Sequence, residues 1–224
     1  MTRVVAFDVN ETLLDLSALD GLFEEVFASA ALRPQWFAMM LQVSFVGGLT
    51  GSYVDFTTAQ RAALRMIARR EGVRLPGDAE DRILDGMRHL PAHPEVAAAL
   101  GALDGSGLEV VALTNSVQDV AEDQLTNAGL RDLVGAVMSA DAVGHLKPSP
   151  EPYLAVAERY AVPADRVRLV AAHHWDVTGA LRAGCAAAFV ARPGAVPSAI
   201  GPQPDIVEPD LTRVVARILE VDVP

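Results

Sequence analysis

Short apolar runs alternate with stretches of helical periodicity along most of the 224-residue chain. Apolar runs of four or five residues that are bounded by polar ones are typical of buried parallel strands. The strands predicted in this way cover residues 3–8, 108–113, 136–138, 168–171 and 187–191. Because helical stretches separate them, the pattern predicts an α/β fold, a parallel sheet with helices on both faces.

Residues from about 15 to 90 interrupt this alternation, because apolar side chains there recur only at three- and four-residue spacing. The helices predicted in this block cover about residues 16–27, 34–46, 57–70 and 78–89, and Gly47-Gly48 is expected to break the second of them. The later predicted helices cover about residues 96–103, 117–128, 150–157, 176–183 and 211–219. We therefore expect a core of residues 1–14 and 91–224 and a helical insert of residues 15–90.

Polar side chains follow three of the predicted strands at the point where each strand ends. They are Asp8 with Asn10 and Thr12 after the first strand, Thr114 and Asn115 after the second, and His173 with Asp176 after the fourth. The carboxyl ends of parallel strands meet in one crevice, where open α/β sheets bind their ligands. An isolated aspartate at such a place can also cap a turn, so the first strand alone leaves both explanations open.

Lys147 is the only lysine among the 18 lysine and arginine residues. Arginine has a wide planar guanidinium, whereas a lysine ammonium is compact and can approach one carboxylate end-on. The presence of a single lysine could also be due to chance. Lys147 stands in a predicted loop before Pro148, where an extended backbone is favoured. From this loop its ammonium would keep Asp8 ionised as a nucleophile. Asp176 would then position Lys147 and a water, and Thr114 and Asn115 would hold carboxylate oxygens or an anionic substrate group.

Composition narrows the possible partners and the compartment. A formal net charge of -11 argues against nucleic acid and anionic membranes as partners. Cys185 is the only cysteine, which excludes an intrachain disulfide and fits a reducing compartment. The N-terminus enters a predicted strand without a signal peptide, and no apolar run reaches membrane-spanning length. We therefore expect a cytoplasmic protein.

The order Asp8, Thr114-Asn115, Lys147 and Asp176, with a helical insert after the first strand, resembles the haloacid dehalogenase superfamily. This resemblance covers nearly the whole chain. It implies a Rossmann-like core of residues 1–14 and 91–224, with residues 15–90 as a helical cap domain.

Two positions separate the phosphatases of that superfamily from this chain. The phosphatases carry an aspartate as general acid where this chain has Asn10, which cannot deliver a proton in that way. They also carry an acid that helps to hold Mg²⁺ where this chain has Ala172. The segments Trp175–Ala180 and Tyr53–Phe56, and the spacing of Tyr153 from Lys147, are instead similar to the type II (L-2-haloacid) dehalogenases.

The resemblance implies a reaction without metal in two steps. Asp8 would displace halide from a short 2-haloacid to form an ester, and water would then release the 2-hydroxy acid with inverted configuration. Thr12 and Asn115 match the dehalogenase pattern, and Thr114 replaces a serine. Arg33 is the candidate for the cap arginine that grips halide or carboxylate, although the spacing to Tyr53 points to Pro34.

The remaining candidates depart from the dehalogenase pattern or flank it. His173 stands in place of an asparagine, and it could bind or activate the hydrolytic water or narrow the pocket. Asn10 stands in place of a tyrosine and is expected to line the pocket, while Trp175 is expected to shield it. A small-molecule acid is the expected partner, and the resemblance and the apolar cap helices also suggest a homodimer.

Two other functions remain open from the sequence. One is a Mg²⁺-dependent phosphatase acting on a small metabolite, with Asp8 and Asp176 as the remaining metal ligands. The other is a non-catalytic protein that binds a small acid, although an unused buried carboxylate–lysine pair would be a net burden.

Overall fold

A six-stranded parallel sheet forms the centre of the computed structural model, which describes residues 4–223. The strands are β1 (Val4–Phe7), β2 (Glu109–Thr114), β3 (Ala136–Ser139), β4 (Val167–Ala171), β5 (Ala186–Val190) and β6 (Ile206–Glu208). Their order across the sheet is β3-β2-β1-β4-β5-β6. The predicted parallel α/β architecture is therefore confirmed, while Arg3, the predicted first residue of β1, lies outside the described residues.

Helices cover both faces of this sheet and fill the segment after β1. They are α1 (Asp20–Phe27), α2 (Leu32–Thr50), α3 (Phe56–Glu71), α4 (Ala79–Arg88), α5 (Val96–Gly101), α6 (Gln118–Asn127), α7 (Pro150–Arg159), α8 (His174–Arg182) and α9 (Leu211–Asp222). Helices α1–α4 lie between β1 and α5, in the region where the sequence predicts a helical insert. None of the helices in residues 4–223 is long and apolar enough to cross a membrane.

The position of β1 decides where the polar strand ends meet. All four residues of β1 are buried, as expected for a strand with packed side chains on both faces. Phe7 pairs with Ala112 of β2 on one side and with Val170 of β4 on the other. The chain moves to one side of β1 for β2 and β3 and to the other side for β4–β6. The crevice at the ends of β1, β2 and β4 is thus the place where this fold binds ligands.

Helix α2 differs from its prediction, because it continues through Gly47-Gly48 and ends only at Gly51. A Cβ atom at Gly47 would lie 2.8 Å from the backbone oxygen of Ser52. Glycine therefore allows the chain after the helix to pack back against it, rather than ending the helix. Gly51 has a φ of 70°, the left-handed conformation in which glycine commonly ends a helix.

The C-terminal part of the sheet carries a strand that the sequence pattern misses. β6 has only three residues, and its Val207 is exposed at the sheet edge, so no apolar run marks it. Arg168 of β4 is buried and holds α9 to the sheet through an ion pair of 2.6 Å with Asp222. Cys185, which the sequence places at the start of a buried strand, lies just before β5 and is itself buried.

Candidate active site

Lys147, in the loop before α7, contacts both Asp8 at the exit of β1 and Asp176 in the first turn of α8. Asp8 is the first residue after β1, and only 4% of it is exposed. The ammonium of Lys147 donates hydrogen bonds to Oδ1 of Asp8 at 2.8 Å and to Oδ2 of Asp176 at 2.6 Å. It also donates to the backbone oxygen of Leu113 in β2, at 2.8 Å. All three hydrogens of the ammonium are thus used, and a wider guanidinium could not make the same contacts.

These contacts set the charges of the three groups. Burial alone would raise the pKa of Asp8, but Lys147 and His173 outweigh it and hold that pKa well below its usual range. Burial alone would lower the pKa of Lys147, but the two carboxylates outweigh it and raise that pKa. Burial, together with the negative charge of Asp8, raises the pKa of Asp176. Asp8 is therefore the carboxylate that stays ionised most readily, as a nucleophile must.

Thr12 fixes the second oxygen of Asp8. Its hydroxyl donates to Oδ2 of Asp8 at 2.6 Å and accepts a hydrogen bond from the backbone nitrogen of Ala172 at 2.9 Å. Because Ala172 follows β4, this hydroxyl ties the exits of β1 and β4 together. Thr12 thus contacts Asp8 directly, and its catalytic role stays a prediction.

Tyr153 holds Asp176 from the other side. The phenol of this α7 residue donates to Oδ1 of Asp176 at 2.5 Å, while Oδ2 accepts from Lys147. Gly179, one turn further along α8, allows this close approach, because a Cβ there would lie 2.6 Å from the phenol oxygen. Tyr153 was not among the predicted site residues, although its spacing from Lys147 was a signal that could have identified it.

His173 lies directly against the Asp8 carboxylate. Its Nδ1 is 3.2 Å from Oδ2 of Asp8, and its Nε2 is 2.9 Å from Oε2 of Glu11. The imidazole stacks between Phe37 of α2 and Trp175 of α8, with ring centroids at 5.7 Å and 5.1 Å. Trp175 thus contacts His173, which in turn contacts Asp8, and its predicted shielding of the site stays a prediction. Phe37 and Glu11 are neighbours of the site that the sequence did not single out.

Arg33 does not reach Asp8. Its Nε donates to Asp20 at 2.5 Å, and its Nη1 lies 3.6 Å from Oε1 of Glu11. The guanidinium is thus connected to the nucleophile only through Glu11 and His173. Its predicted grip on halide or carboxylate stays a prediction and requires Arg33 to leave these acidic partners.

The side chains of Asn115 and Thr114 form hydrogen bonds with the backbone of the protein itself. The Asn115 amide accepts from the backbone nitrogen of Lys147 at 2.8 Å and donates to the backbone oxygen of Lys147 at 3.1 Å. The Thr114 hydroxyl accepts from the backbone nitrogen of Ser116 at 3.2 Å. Asn115 therefore positions Lys147 in this structure, and the predicted contacts of both residues with substrate stay predictions.

Asn10 is buried beside the site but turned towards the helices. Its amide donates to Oγ of Ser116 at 3.3 Å and accepts from Nε2 of Gln124 at 2.9 Å. Gln124 also donates to the backbone oxygen of Met87 at the end of α4. Asn10 thus links the exit of β1 to α6 and α4, and the structure records no contact between it and Asp8.

The carboxylates do not form a site that suits Mg²⁺. Three of the four oxygens of Asp8 and Asp176 accept hydrogen bonds from Lys147 or Thr12, and the fourth accepts from Tyr153. Ala172 supplies no side-chain oxygen where a third ligand would be needed. Within residues 4–223, no group of three or more histidine, cysteine or acidic side chains could hold a metal ion.

The chain is similar to known proteins along most of its length. The model of a family described as haloacid dehalogenase-like hydrolase matches residues 2–184. The chain is 28% identical to an (S)-2-haloacid dehalogenase of Pseudomonas sp. strain YL over 94% of this chain and 92% of that protein. It is 30% identical to (S)-2-haloacid dehalogenase 4A of Burkholderia cepacia over 87% and 85% of the two chains.

A solved structure shows the same likeness in three dimensions. It is the L-2-haloacid dehalogenase of Xanthobacter autotrophicus with chloropropionic acid covalently bound. Its TM-score is 0.91 at 26% identity, and the match covers 99% of each chain.

Proposed function

The chain belongs to the haloacid dehalogenase-like hydrolase family, and we propose that it is a 2-haloacid dehalogenase with Asp8 as its nucleophile. The observation that carries this proposal is the contact of the buried Asp8 carboxylate with Lys147, which keeps it ionised at the end of β1. The similarity to (S)-2-haloacid dehalogenases supports the same substrate class.

In the first step, an oxygen of Asp8 attacks the carbon that bears the halogen. The carbon–halogen bond breaks, halide leaves with the electron pair, and an ester joins Asp8 to the acid. Lys147 and Thr12 hold the carboxylate in position for this attack. Splitting the displacement in this way suits a carboxylate nucleophile, which attacks carbon without needing a base of its own.

In the second step, water attacks the carboxyl carbon of Asp8. The ester bond to the enzyme breaks, and the 2-hydroxy acid leaves with an oxygen that came from Asp8. One hydrogen of the water ends on that oxygen, and the other is released as a proton when the Asp8 carboxylate forms again. The configuration at the substrate carbon is inverted, because only the first step occurs at that carbon. We assign to Asp176 the orientation of this water, while Lys147, which donates to Oδ1 of Asp8 at 2.8 Å, stabilises the negative charge that develops on that oxygen.

His173 acts as a cation in this scheme rather than as a base for water. Both ring nitrogens face carboxylates, so both must carry hydrogens to donate. Burial lowers the pKa of His173, but the hydrogen bonds to Asp8 and Glu11 outweigh it and raise that pKa to about 9. A histidine that is protonated at neutral pH cannot accept the proton of a hydrolytic water.

We further propose that residues 15–90 act as a cap over Asp8 and that catalysis needs no metal cofactor. The contact of Phe37 in α2 with His173 supports the first point. The donors that already occupy the oxygens of Asp8 and Asp176 support the second.

A cytoplasmic location is also proposed, because the only cysteine, Cys185, is a free thiol. A homodimer is proposed because α2 exposes the apolar side chains of Val46 and Leu49. The mass of the protein in solution by light scattering tests the dimer.

Halide release tests the reaction. Purified enzyme is given L-2-chloropropionate, chloroacetate or fluoroacetate, with and without EDTA. We expect release that survives EDTA and disappears in Asp8→Asn, while Asp104→Asn, an exposed carboxylate elsewhere, keeps the wild-type rate. A single turnover in ¹⁸O-labelled water should place the label in the peptide that contains Asp8. Phosphate release that requires Mg²⁺, with no halide release, would contradict the proposal.

A further inference from the structure

Glu11 has a backbone conformation that its residue type disfavours. Its φ is 61°, in the left-handed region that side chains with a Cβ atom rarely adopt. Ala28 and Ala161 share a positive φ, but both lie at helix ends, where this conformation is common. Glu11 follows a strand, and a glycine would be unstrained there. A glutamate in this position indicates that its side chain has a task.

The side chain of Glu11 bridges two cationic residues, His173 and Arg33. Its carboxylate lies 2.9 Å from Nε2 of His173 and 3.6 Å from Nη1 of Arg33. The imidazole is held between Phe37 and Trp175, so the choice of partner for Nε2 also decides which way Nδ1 points. With Nε2 on Glu11, Nδ1 lies 3.2 Å from Oδ2 of Asp8.

Charged groups from several elements approach His173 or its two partners. Asp8 and Glu11 face its two nitrogens from the exit of β1, and Lys147 binds the far oxygen of Asp8. Arg33 approaches from α2 but stands behind Glu11, while Phe37 and Trp175 bring no charge. The side chain of His173 is 12% exposed, whereas that of Lys147 is fully buried. His173 is therefore the cation next to Asp8 that an incoming anion can meet.

We propose that Glu11 is a positioning residue, which keeps His173 doubly protonated and aims its Nδ1–H at Asp8, so that an imidazolium provides the accessible positive charge of the site. This inference rests on the proposed dehalogenation, in which the substrate carboxylate and the departing halide both need a cation near Asp8. Glu11 acts through His173 and need not touch the substrate. The guanidinium of Arg33 then orients Glu11, instead of facing the substrate itself.

The titration of His173 tests this directly and without substrate. Imidazole signals of ¹³C-labelled histidine are followed by NMR in wild type, in Glu11→Gln and in Glu25→Gln, a surface carboxylate paired with Arg82. His173→Gln identifies the signal. We expect His173 to titrate near pH 9 in wild type and in Glu25→Gln. In Glu11→Gln the midpoint should fall by about one unit or more, because one of its two anionic partners is neutral.

A second variant separates positioning from folding. Glu11→Gly removes the carboxylate and also the backbone strain, so its melting temperature should lie above that of Glu11→Gln, which keeps the strain. The alkaline limb of kcat/KM for halide release from L-2-chloropropionate should nevertheless move to lower pH, by the same amount as in Glu11→Gln. A structural role alone would leave that limb in place.

The outcomes distinguish this inference from the proposed function. If His173 titrates at the same pH with and without the Glu11 carboxylate, or near its ordinary pKa in wild type, the positioning role is overturned. If the midpoint shifts as expected but no protein in the series releases halide, the positioning of His173 stands and the dehalogenase proposal fails.

Discussion

Gly179 passes so close to Tyr153 that a Cβ atom on the glycine would lie 2.6 Å from the phenol oxygen. The same Cβ would lie 2.7 Å from Cβ of Pro148 and 2.8 Å from its backbone oxygen. Real Cβ atoms do not come this near to other heavy atoms, so any larger residue must displace either Tyr153 or the loop that carries Lys147.

Gly179→Ala is therefore expected to lower kcat roughly 10- to 100-fold, because a shift of about 1 Å in the groups that hold Asp8 disturbs the attack geometry. Initial rates of halide release at saturating substrate measure the effect. The matched control is Gly48→Ala, another glycine inside a helix, where an added Cβ has no atom within 4 Å. Equal rates in wild type and Gly179→Ala would contradict the packing argument.

Lys147→Arg tests whether the site needs an ammonium rather than any positive charge. The ammonium has three acceptors at 2.6–2.8 Å in a fully buried position, and a guanidinium is too wide to replace it. We expect kcat to fall by roughly 100-fold or more. Arg131→Lys, the reverse exchange at the half-exposed pair with Glu122, should leave kcat unchanged. A Lys147→Arg enzyme with near-normal kcat would show that charge alone is enough.

The raised pKa of His173 should make stability fall on the alkaline side. The pKa in the folded protein is about 9, above the ordinary 6.5, so the stabilisation is fully present below pH 6.5 and is lost as pH rises through about 9. The shift corresponds to about 3 kcal/mol. Urea unfolding between pH 6 and 10 should show this loss in wild type but not in His173→Gln. His145→Gln, at an exposed histidine, should keep the wild-type pH dependence.

The lowered pKa of Asp8 should make the free energy of unfolding fall at acid pH. Its pKa in the folded protein is lowered from 3.8, so its contribution is present above that value and disappears as pH falls further. Asp8→Asn should therefore flatten the acid limb of the stability curve below about pH 4. An unchanged acid limb in this variant would mean that the ion pair with Lys147 does not stabilise the fold.

The ion pair between Arg168 and Asp222 should matter for stability and not for chemistry. Both side chains are almost fully buried, and removing one charge of a buried pair typically destabilises a protein by about 3–5 kcal/mol. Asp222→Asn should lower the free energy of unfolding in urea by that order while leaving kcat at low temperature intact. Asp205 also pairs with Arg168 but is 54% exposed, so Asp205→Asn should cost only about 1 kcal/mol.

The sequence was sufficient to predict the strands whose side chains are buried on both faces of the sheet. The apolar runs of β1, β2 and β4 stand out, and the polar residues after them mark the crevice. β6 could not be found, because three residues at a sheet edge with an exposed Val207 leave no apolar run. The continuation of α2 through Gly47-Gly48 depends on the backbone of Ser52 packing against it, a contact that no local propensity encodes.

The grouping of Asp8, Lys147 and Asp176 was predictable from the sequence, whereas most of the contacts around them were not. Asp8, Lys147 and Asp176 could be grouped because strand ends converge, whatever the details of the fold. The role of Glu11 depends on a positive φ and on a partner, His173, more than 160 positions away in the chain. Likewise, nothing local shows that the amide of Asn115 is already occupied by the backbone of Lys147.

The central place of β1 also determines when the enzyme can assemble. Val4 pairs with Glu109 on one side and with Val167 on the other, so β1 is made well before either of its two partner strands. Loop closure over such separations is slow compared with the formation of neighbouring helices. The paired helices α2 and α3 can therefore fold on the ribosome while β1 is still a bare apolar segment. The nucleophile is therefore translated well before its surroundings, which are completed only after β4 has emerged.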